Sequence, residues 1–246
     1  MTSVFPDISI SDVDTERFGI LTARVIGLTS ESLSAVVDFC RKEQVELLIA
    51  RSDMANLAAA HSMEKNGFLL MDTLVYYMLD LIKQPIPADH GLAYIRPIRA
   101  GEEEDMILIA REAFRGYFGH YHADKRLNKS QCDEAYVDWT RKSCAARESG
   151  NFLVADVDGR IVGFGVLKMN NSEEGEYFLG GIHPDFQGRR IYNSFLCKAM
   201  EWFLSKGAQK MLISTQLQNI SVQKVLIRFG LEITKGYYTY HKWFDE

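Results

Sequence analysis

The sequence predicts an α/β protein of the α+β kind: a mixed, largely antiparallel sheet flanked by helices, preceded by a smaller, incomplete unit of the same type. Three observations lead there. Short alternating apolar runs rich in Val, Ile, Phe and Tyr interleave with helical stretches along the 246 residues. Asp158-Gly159 joins two such runs in NFLVADVDGRIVGFGVLKM as a hairpin turn, which makes those strands antiparallel neighbours. QPIPADHG, residues 84 to 91, sets two prolines and a glycine between an apolar run and a new strand, and so divides the chain into regions 1–84 and 92–246.

Before that seam, RFGILTARVIGL alternates like a strand. TSESLSAVVDFCRKE reads as a helix capped by Thr29 or Ser30, and VELLIA as a short buried strand. A helix from about Leu57 to Lys65 closes at Asn66-Gly67, where glycine accepts the left-handed conformation past a helix end. LVYYMLDL is an aromatic strand. Beyond the seam come a strand at 93–98, helices at about 101–114 and 129–147, the hairpin, and strand EGEYFLGGI. A helix at about 189–206, strand KMLIST, a helix at 219–229 and a strand pair within EITKGYYTYHKWF complete the order.

The two regions resemble each other. LLIARSDMANLAAAHSMEKNGFLLMDTLVYYM set beside MLISTQLQNISVQKVLIRFGLEITKGYYTYH superposes Asn56 on Asn219, Lys65 on Arg228, Gly67 on Gly230 and Tyr77 on Tyr240. One residue of slack before the asparagines also brings Leu48-Ile49 onto Leu212-Ile213. The front copy has no counterpart of the loop QGRR, so it keeps a scaffold without that loop's chemistry.

Composition narrows the class. At 47% hydrophobic and 25% charged, with no apolar run long enough to span a bilayer and an acidic start, MTSVFPDISISDVD, the chain reads as cytoplasmic, with no membrane partner. The net charge of −5 divides into −6 over residues 1–90 and +1 over the rest, so no basic field for nucleic acid is expected. Cys40, Cys132, Cys144 and Cys197 are isolated, without a C-x-x-C pair or a histidine at ligand spacing, and read as buried, reduced and without a metal.

HPDFQGRRIYNSFL, residues 183 to 196, leads a polar glycine-containing loop into a helix. A helix start leaves backbone N–H groups unpaired and carries partial positive charge, which suits a pyrophosphate. Gly188 allows close backbone approach, and Arg189 and Arg190 offer charge-assisted hydrogen bonds. A solvated basic turn is the plainer alternative.

This loop, in its order of strands and helices, resembles the GNAT superfamily of acyl-CoA-dependent N-acyltransferases over residues 92–246. The resemblance implies acetyl-CoA as co-substrate, no metal, and a coenzyme site at Gly181, Ile182, Gln187, Gly188, Arg189, Arg190, Ile191, Tyr192 and Asn193. The family pattern has small residues where this chain has Arg190 and Tyr192. Asn219, eleven residues before Gly230, matches the family asparagine that meets the pantetheine arm, and it also suits a helix N-cap. Where the family often places a general-acid tyrosine, this chain has Leu226, so Tyr192, Tyr237, Tyr238 or solvent would take that role; of these, Tyr238 is the candidate carried forward.

An amine attacks a thioester only when unprotonated, so a base is needed. Glu176, eleven residues before Gln187, has the family offset for that base, with His183 as runner-up; a solvated charge in the acidic turn NNSEEGE is the alternative. Strand alternation puts Glu176, Phe178, Gly180 and Ile182 on one face, and a bulge at Gly180-Gly181 would splay this strand from its neighbour. The loop FRGYFGHYHADKRLN, residues 114 to 128, is the expected acceptor pocket, with Phe118, His120, Tyr121 and His122 stacking on a base or sugar face and Lys125 and Arg126 meeting a diphosphate; a plain mobile loop is the alternative.

Two copies of the unit, the first incomplete, resemble the bacterial acetyltransferases that act on nucleotide-linked amino sugars, the dTDP-fucosamine type. The implied reaction is acetyl transfer to a small-molecule primary amine by direct attack, by a chain that could pair as a homodimer through exposed edges. An amino-acid, polyamine or protein amine is the alternative acceptor. A CoA-binding scaffold without catalysis is the alternative of another class.

Overall fold

Each alternating apolar run forms a strand in the computed structural model, which describes residues 7–88, 91–147 and 150–244. Residues 1–6 of the acidic start, and Asp89 and His90 of the seam, lie outside the described residues. Before the seam the chain forms β1 (Ile8–Ile10), α1 (Asp12–Phe18), β2 (Thr22–Ile26), α2 (Leu33–Lys42), β3 (Leu47–Asp53), α3 (Leu57–Lys65) and β4 (Leu69–Asp80). After it come β5 (Tyr94–Pro97), α4 (Glu103–Ala113), α5 (His120–Ala123), α6 (Lys129–Asp133), α7 (Ala135–Ala145), β6 (Phe152–Val157), β7 (Arg160–Met169) and β8 (Glu174–Ile182). The last elements are α8 (Ile191–Ser205), β9 (Lys210–Gln216), α9 (Ile220–Phe229) and β10 (Glu232–Trp243).

Four expectations change. The strand read over RFGILTARVIGL begins only at Thr22, because Arg17 and Phe18 close α1 and Gly19, at φ 65°, caps it. The helix expected at 129–147 breaks at Glu134 into α6 and α7. The acceptor loop contains α5, a short helix starting at Gly119. The C-terminal strand pair is one strand, β10, with irregular register between Ile233 and Lys235 and between Thr239 and Tyr240. Gly236 does not turn the chain there; it is small because a Cβ would collide with Met54 Sδ.

All strands join one sheet in the order β1-β2-β3-β10-β4-β9-β8-β7-β6-β5. Only β2–β3 and β8–β9 are parallel. β10 lies between β3 and β4, so both sides of the seam build the same sheet. β4 pairs with β9 from Leu74↔Gln216 to Asp80↔Lys210, and β10 with β3 from Tyr237↔Asp53 to Trp243↔Leu47. The second ladder is the first moved along the chain by the spacing between Asn56 and Asn219, about a pseudo-two-fold axis at Leu74↔Tyr237. In this register Ala50 takes the place of Ile213, so the slack that set Ile49 there is absent from the strands.

One face is covered by α2 and α3 over Leu48, Ala50 and Tyr240, and by α8 and α9 over Tyr77, Tyr177 and Ile213. The other carries α1, α4, α5 and α7 over Leu47, Ile49, Phe164 and Leu179. Phe195 and Phe203 anchor α8 with 0% exposure, each contributing about 1.5–3 kcal/mol of apolar burial. The four cysteines are free and buried, and burial pushes the Cys40 thiol up to about 12. Among the described residues no helix is long and apolar enough to cross a membrane.

Candidate active site

β8 and β9 pair only from Glu174↔Lys210 to Tyr177↔Ile213 and then separate. On its other side β8 is bulged: Leu167 pairs with Tyr177 and Val166 with Leu179, so Phe178 is left without a partner. The expected bulge at Gly180-Gly181 is therefore corrected, because those glycines pair in register with Gly165 and Phe164. The extra residue resets the alternation. Tyr177 packs toward α8 and Leu179 toward α4, so Glu176 and Gly180 do not share a face as simple alternation implied. The glycines serve close approach instead: a Cβ at Gly165 or Gly180 would strike the Tyr177 hydroxyl. That hydroxyl is buried with no hydrogen-bond partner, and burial holds the phenol far above its ordinary value of 10.

The separation opens a continuous cleft of about 1460 Å³. Every residue expected at the coenzyme lines it except Arg189, whose guanidinium sits 4.8 Å from the Phe186 ring centre. Gln187 Nε2 donates to the Ile182 carbonyl at 3.2 Å, tying the loop back to β8. The amides of Gly188 through Tyr192 have no acceptor among the described residues. Gly188 has φ 75°, and Arg190, where the family pattern has a small residue, has φ 61°. The loop thus keeps a left-handed backbone despite the side chain. Tyr192 points into the core, edge-on to Tyr177 at 5.8 Å, and leaves the loop mouth clear.

Left-handed backbone costs an L residue about 1–2 kcal/mol, part of which glycine gives back through a freer unfolded chain. Arg190→Gly is therefore expected to stabilise the apo protein by about 0.5–1 kcal/mol, read as a rise in Tm. An unchanged or lower Tm would show that the arginine's own contacts outweigh the strain.

Asn219 is the N-cap of α9 and lies on the cleft wall. Its Oδ1 caps α9 by accepting from the Val222 amide at 3.4 Å, and its Nδ2 donates to Thr215 Oγ1 at 3.1 Å on the cleft wall. Leu226 is fully buried. Glu176 faces the cleft at 9% exposure with Lys168 Nζ 3.0 Å from its Oε2. Tyr238 does not reach it: the ring packs on the α2 and α3 side of the sheet, against Tyr240.

Of the loop 114–128, Phe114, Tyr117 and His120 line the cleft, whereas Phe118, Tyr121 and Arg126 do not. Phe118 is exposed beside His122, and Arg126 lies 3.9 Å from the Trp243 ring centre. Tyr121 is buried, donating to Asp14 Oδ1 at 2.7 Å and accepting from Arg24. α5 causes this by turning His120 and Tyr121 inward. Arg24, Arg51 and Tyr76 from the front region line the same cleft, with Tyr136 and Trp139. An arginine in the middle of an otherwise apolar strand, as in TARVI and LLIARSD, was the available signal for the first two. No cluster of His, Cys, Asp or Glu among the described residues could hold a metal ion.

Relatives are consistent with this geometry. The chain is 22% identical over 229 residues to the spore coat polysaccharide biosynthesis protein SpsD of Bacillus subtilis (strain 168), covering 91% of this chain and 76% of that protein. A GCN5-related N-acetyltransferase from Sphaerobacter thermophilus superposes with a TM-score of 0.67 at 16% identity, over 96% of this chain and 75% of that one. A tandem GNAT protein from the clavulanic acid biosynthesis pathway superposes with a TM-score of 0.59 at 13% identity, over 90% and 75% of the two chains. The acetyltransferase (GNAT) family model matches residues 108–231, half of the chain, from α4 to the end of α9. With the splayed strands and the amide-lined loop in place, the chain belongs to the acetyltransferase (GNAT) family.

Proposed function

We propose that this acetyltransferase uses acetyl-CoA to acetylate the primary amine of a nucleotide-linked amino sugar in the cytoplasm. The observation that carries the coenzyme half is the run of unpaired amides from Gly188 to Tyr192 at the start of the 15-residue helix α8. Partial positive charge at a helix start and free N–H groups together suit a diphosphate. Beyond the loop, the separated strands leave the β9-facing edge of Phe178–Ile182 without a strand partner, in line with the amides of a pantetheine arm.

The Tyr177 hydroxyl, a donor without an acceptor on this wall, is suited to hydrogen-bond charge that develops during thioester aminolysis. Glu176, already engaged by Lys168, is suited to hold the acceptor's ammonium group. For the acceptor, Arg24 and Arg51 offer two guanidinium groups to an anion, with Tyr76 and Trp139 as ring surfaces beside them. The relative named for spore coat polysaccharide biosynthesis supports a sugar. We also infer that region 1–84 is an incomplete copy of the unit in 92–246, a reading supported by the matched ladders and by Asn56 capping α3 as Asn219 caps α9.

Free-thiol release from acetyl-CoA across amino-sugar nucleotides, polyamines and amino acids tests the acceptor. Turnover confined to polyamines or amino acids would remove the sugar, and CoA binding without turnover on any amine would remove the transfer. Arg189→Ala, at an exposed position, is expected to weaken CoA binding about ten-fold at low salt, the worth of one charge-assisted hydrogen bond. Unchanged affinity by calorimetry would exclude Arg189 from the phosphate site.

A further inference from the structure

We propose that His120, backed by His241 and Asp124, takes the proton from the acceptor amine, a role that rests on the acetyl-transfer reading above. Nδ1 of His241 lies 2.7 Å from Asp124 Oδ2, and Nε2 of His241 lies 2.9 Å from Nδ1 of His120. The three residues are 4%, 1% and 5% exposed for Asp124, His241 and His120. Asp124 is held from two further sides, by Trp243 Nε1 at 3.0 Å and the Arg126 amide at 3.0 Å.

Proton placement follows from one end of this chain. A carboxylate only accepts, so His241 carries its proton on Nδ1. With a single proton on the His241 ring, Nε2 holds a lone pair, which His120 Nδ1–H fills. His120 is left with an unprotonated Nε2, which has no partner among the described residues, on a ring that lines the cleft. Burial, followed by the charges of Arg24 and Arg51, pushes the His120 imidazolium well below the usual 6.5, so the ring is neutral and able to accept. Burial alone would raise the Asp124 carboxyl; hydrogen bonds from His241, the Arg126 amide and Trp243 outweigh it and keep the group ionised.

The step balances. The amine nitrogen forms its bond to the acetyl carbon, the carbon–sulfur bond breaks with its electron pair going to sulfur, and the nitrogen's proton goes to His120 Nε2. From there it returns to water or to the sulfur. Asp124, two hydrogen bonds away, stabilises the imidazolium in between. His241 and Asp124 are positioning residues, since neither lines the cleft. A network that merely braced β10 against α5 would affect stability and nothing else.

The test uses the full chain with ¹⁵N-labelled histidine and long-range ¹H–¹⁵N NMR, alongside thiol release from acetyl-CoA with an amine acceptor or with water alone. His120 is expected as the Nδ1–H tautomer at pH 7, with His241 carrying its proton on Nδ1. Asp124→Asn keeps an oxygen for the two donors His241 Nδ1 and Trp243 Nε1 but removes the charge that stabilises the imidazolium, and is expected to lower kcat while KM changes little. His120→Gln should lower kcat about 10²–10⁴-fold. An Nε2–H tautomer or an imidazolium at pH 7 in the wild-type chain overturns the proposal, as does undiminished turnover in His120→Gln; both leave acetyl transfer standing. Failure of the wild-type chain to bind acetyl-CoA overturns the acetyl-transfer reading itself, and the role of His120 with it.

Discussion

Asp14→Ala is expected to lower the unfolding free energy by about 3–5 kcal/mol, the range for removing one partner of a buried ion pair. Asp14 is wholly buried and accepts from Ser11 Oγ at 2.6 Å, Arg24 Nη2 at 3.1 Å, Tyr121 Oη at 2.7 Å and Arg17 Nη1 at 3.4 Å. Without it two guanidinium groups lose their shared counter-charge, and Arg17, with its side chain 3% exposed, retains only Asp138 at 3.5 Å as an ionic partner. Burial acts to raise the Asp14 carboxyl, but hydrogen bonding and charge from Arg24, with Ser11 and Tyr121, outweigh it and hold the group below its ordinary 3.8. A depressed carboxylate stabilises the fold fully above its unfolded value near 4, and that contribution fades as pH falls through the lower folded value.

Urea unfolding at pH 7 and at about pH 3 should therefore show a gap between wild type and Asp14→Ala that narrows on acidification. A pH-independent gap would mean that packing, not charge, is lost. Asp14→Asn separates the two further by keeping the shape. Since Arg24 faces the cleft, the same variants should raise KM for an anionic acceptor.

Tyr177→Phe should separate stability from catalysis with opposite signs. A buried, unpartnered hydroxyl costs about 1–3 kcal/mol of desolvation, so its removal should leave stability unchanged or raise it by up to about 1 kcal/mol. If that hydroxyl is the donor to charge developing at the thioester, kcat should nevertheless fall about 10²-fold, the worth of one such donor. Thermal unfolding of the apo protein and single-turnover thiol release read the two effects independently. A more stable variant with undiminished kcat would reduce Tyr177 to a filler of the space between Gly165 and Gly180. Both glycines bear on the same point, because a methyl at either would push the ring out of position.

The local features were legible in the sequence because their causes are local. Alternation marked β6 to β9, Asp158-Gly159 marked the hairpin between β6 and β7, and Asn219 with Gly230 marked the ends of α9. The loop from Gln187 stood out because a glycine and two arginines directly precede a helix. Residues drawn from the acceptor loop by composition divided: His120 lines the cleft, while Phe118, Tyr121 and Arg126 do not, because composition does not say which side chains α5 turns toward it.

By itself, then, the sequence determined the order from β6 to α9 and the glycine-containing loop before α8, all carried by neighbours along the chain. The tertiary structure alone decided the bulge at Phe178, the insertion of β10 between β3 and β4, and the meeting of His120 with His241 across 121 residues of chain. The physical reason is that strand register and side-chain pairing depend on which strand lies alongside, and no residue's own neighbours in sequence specify that partner.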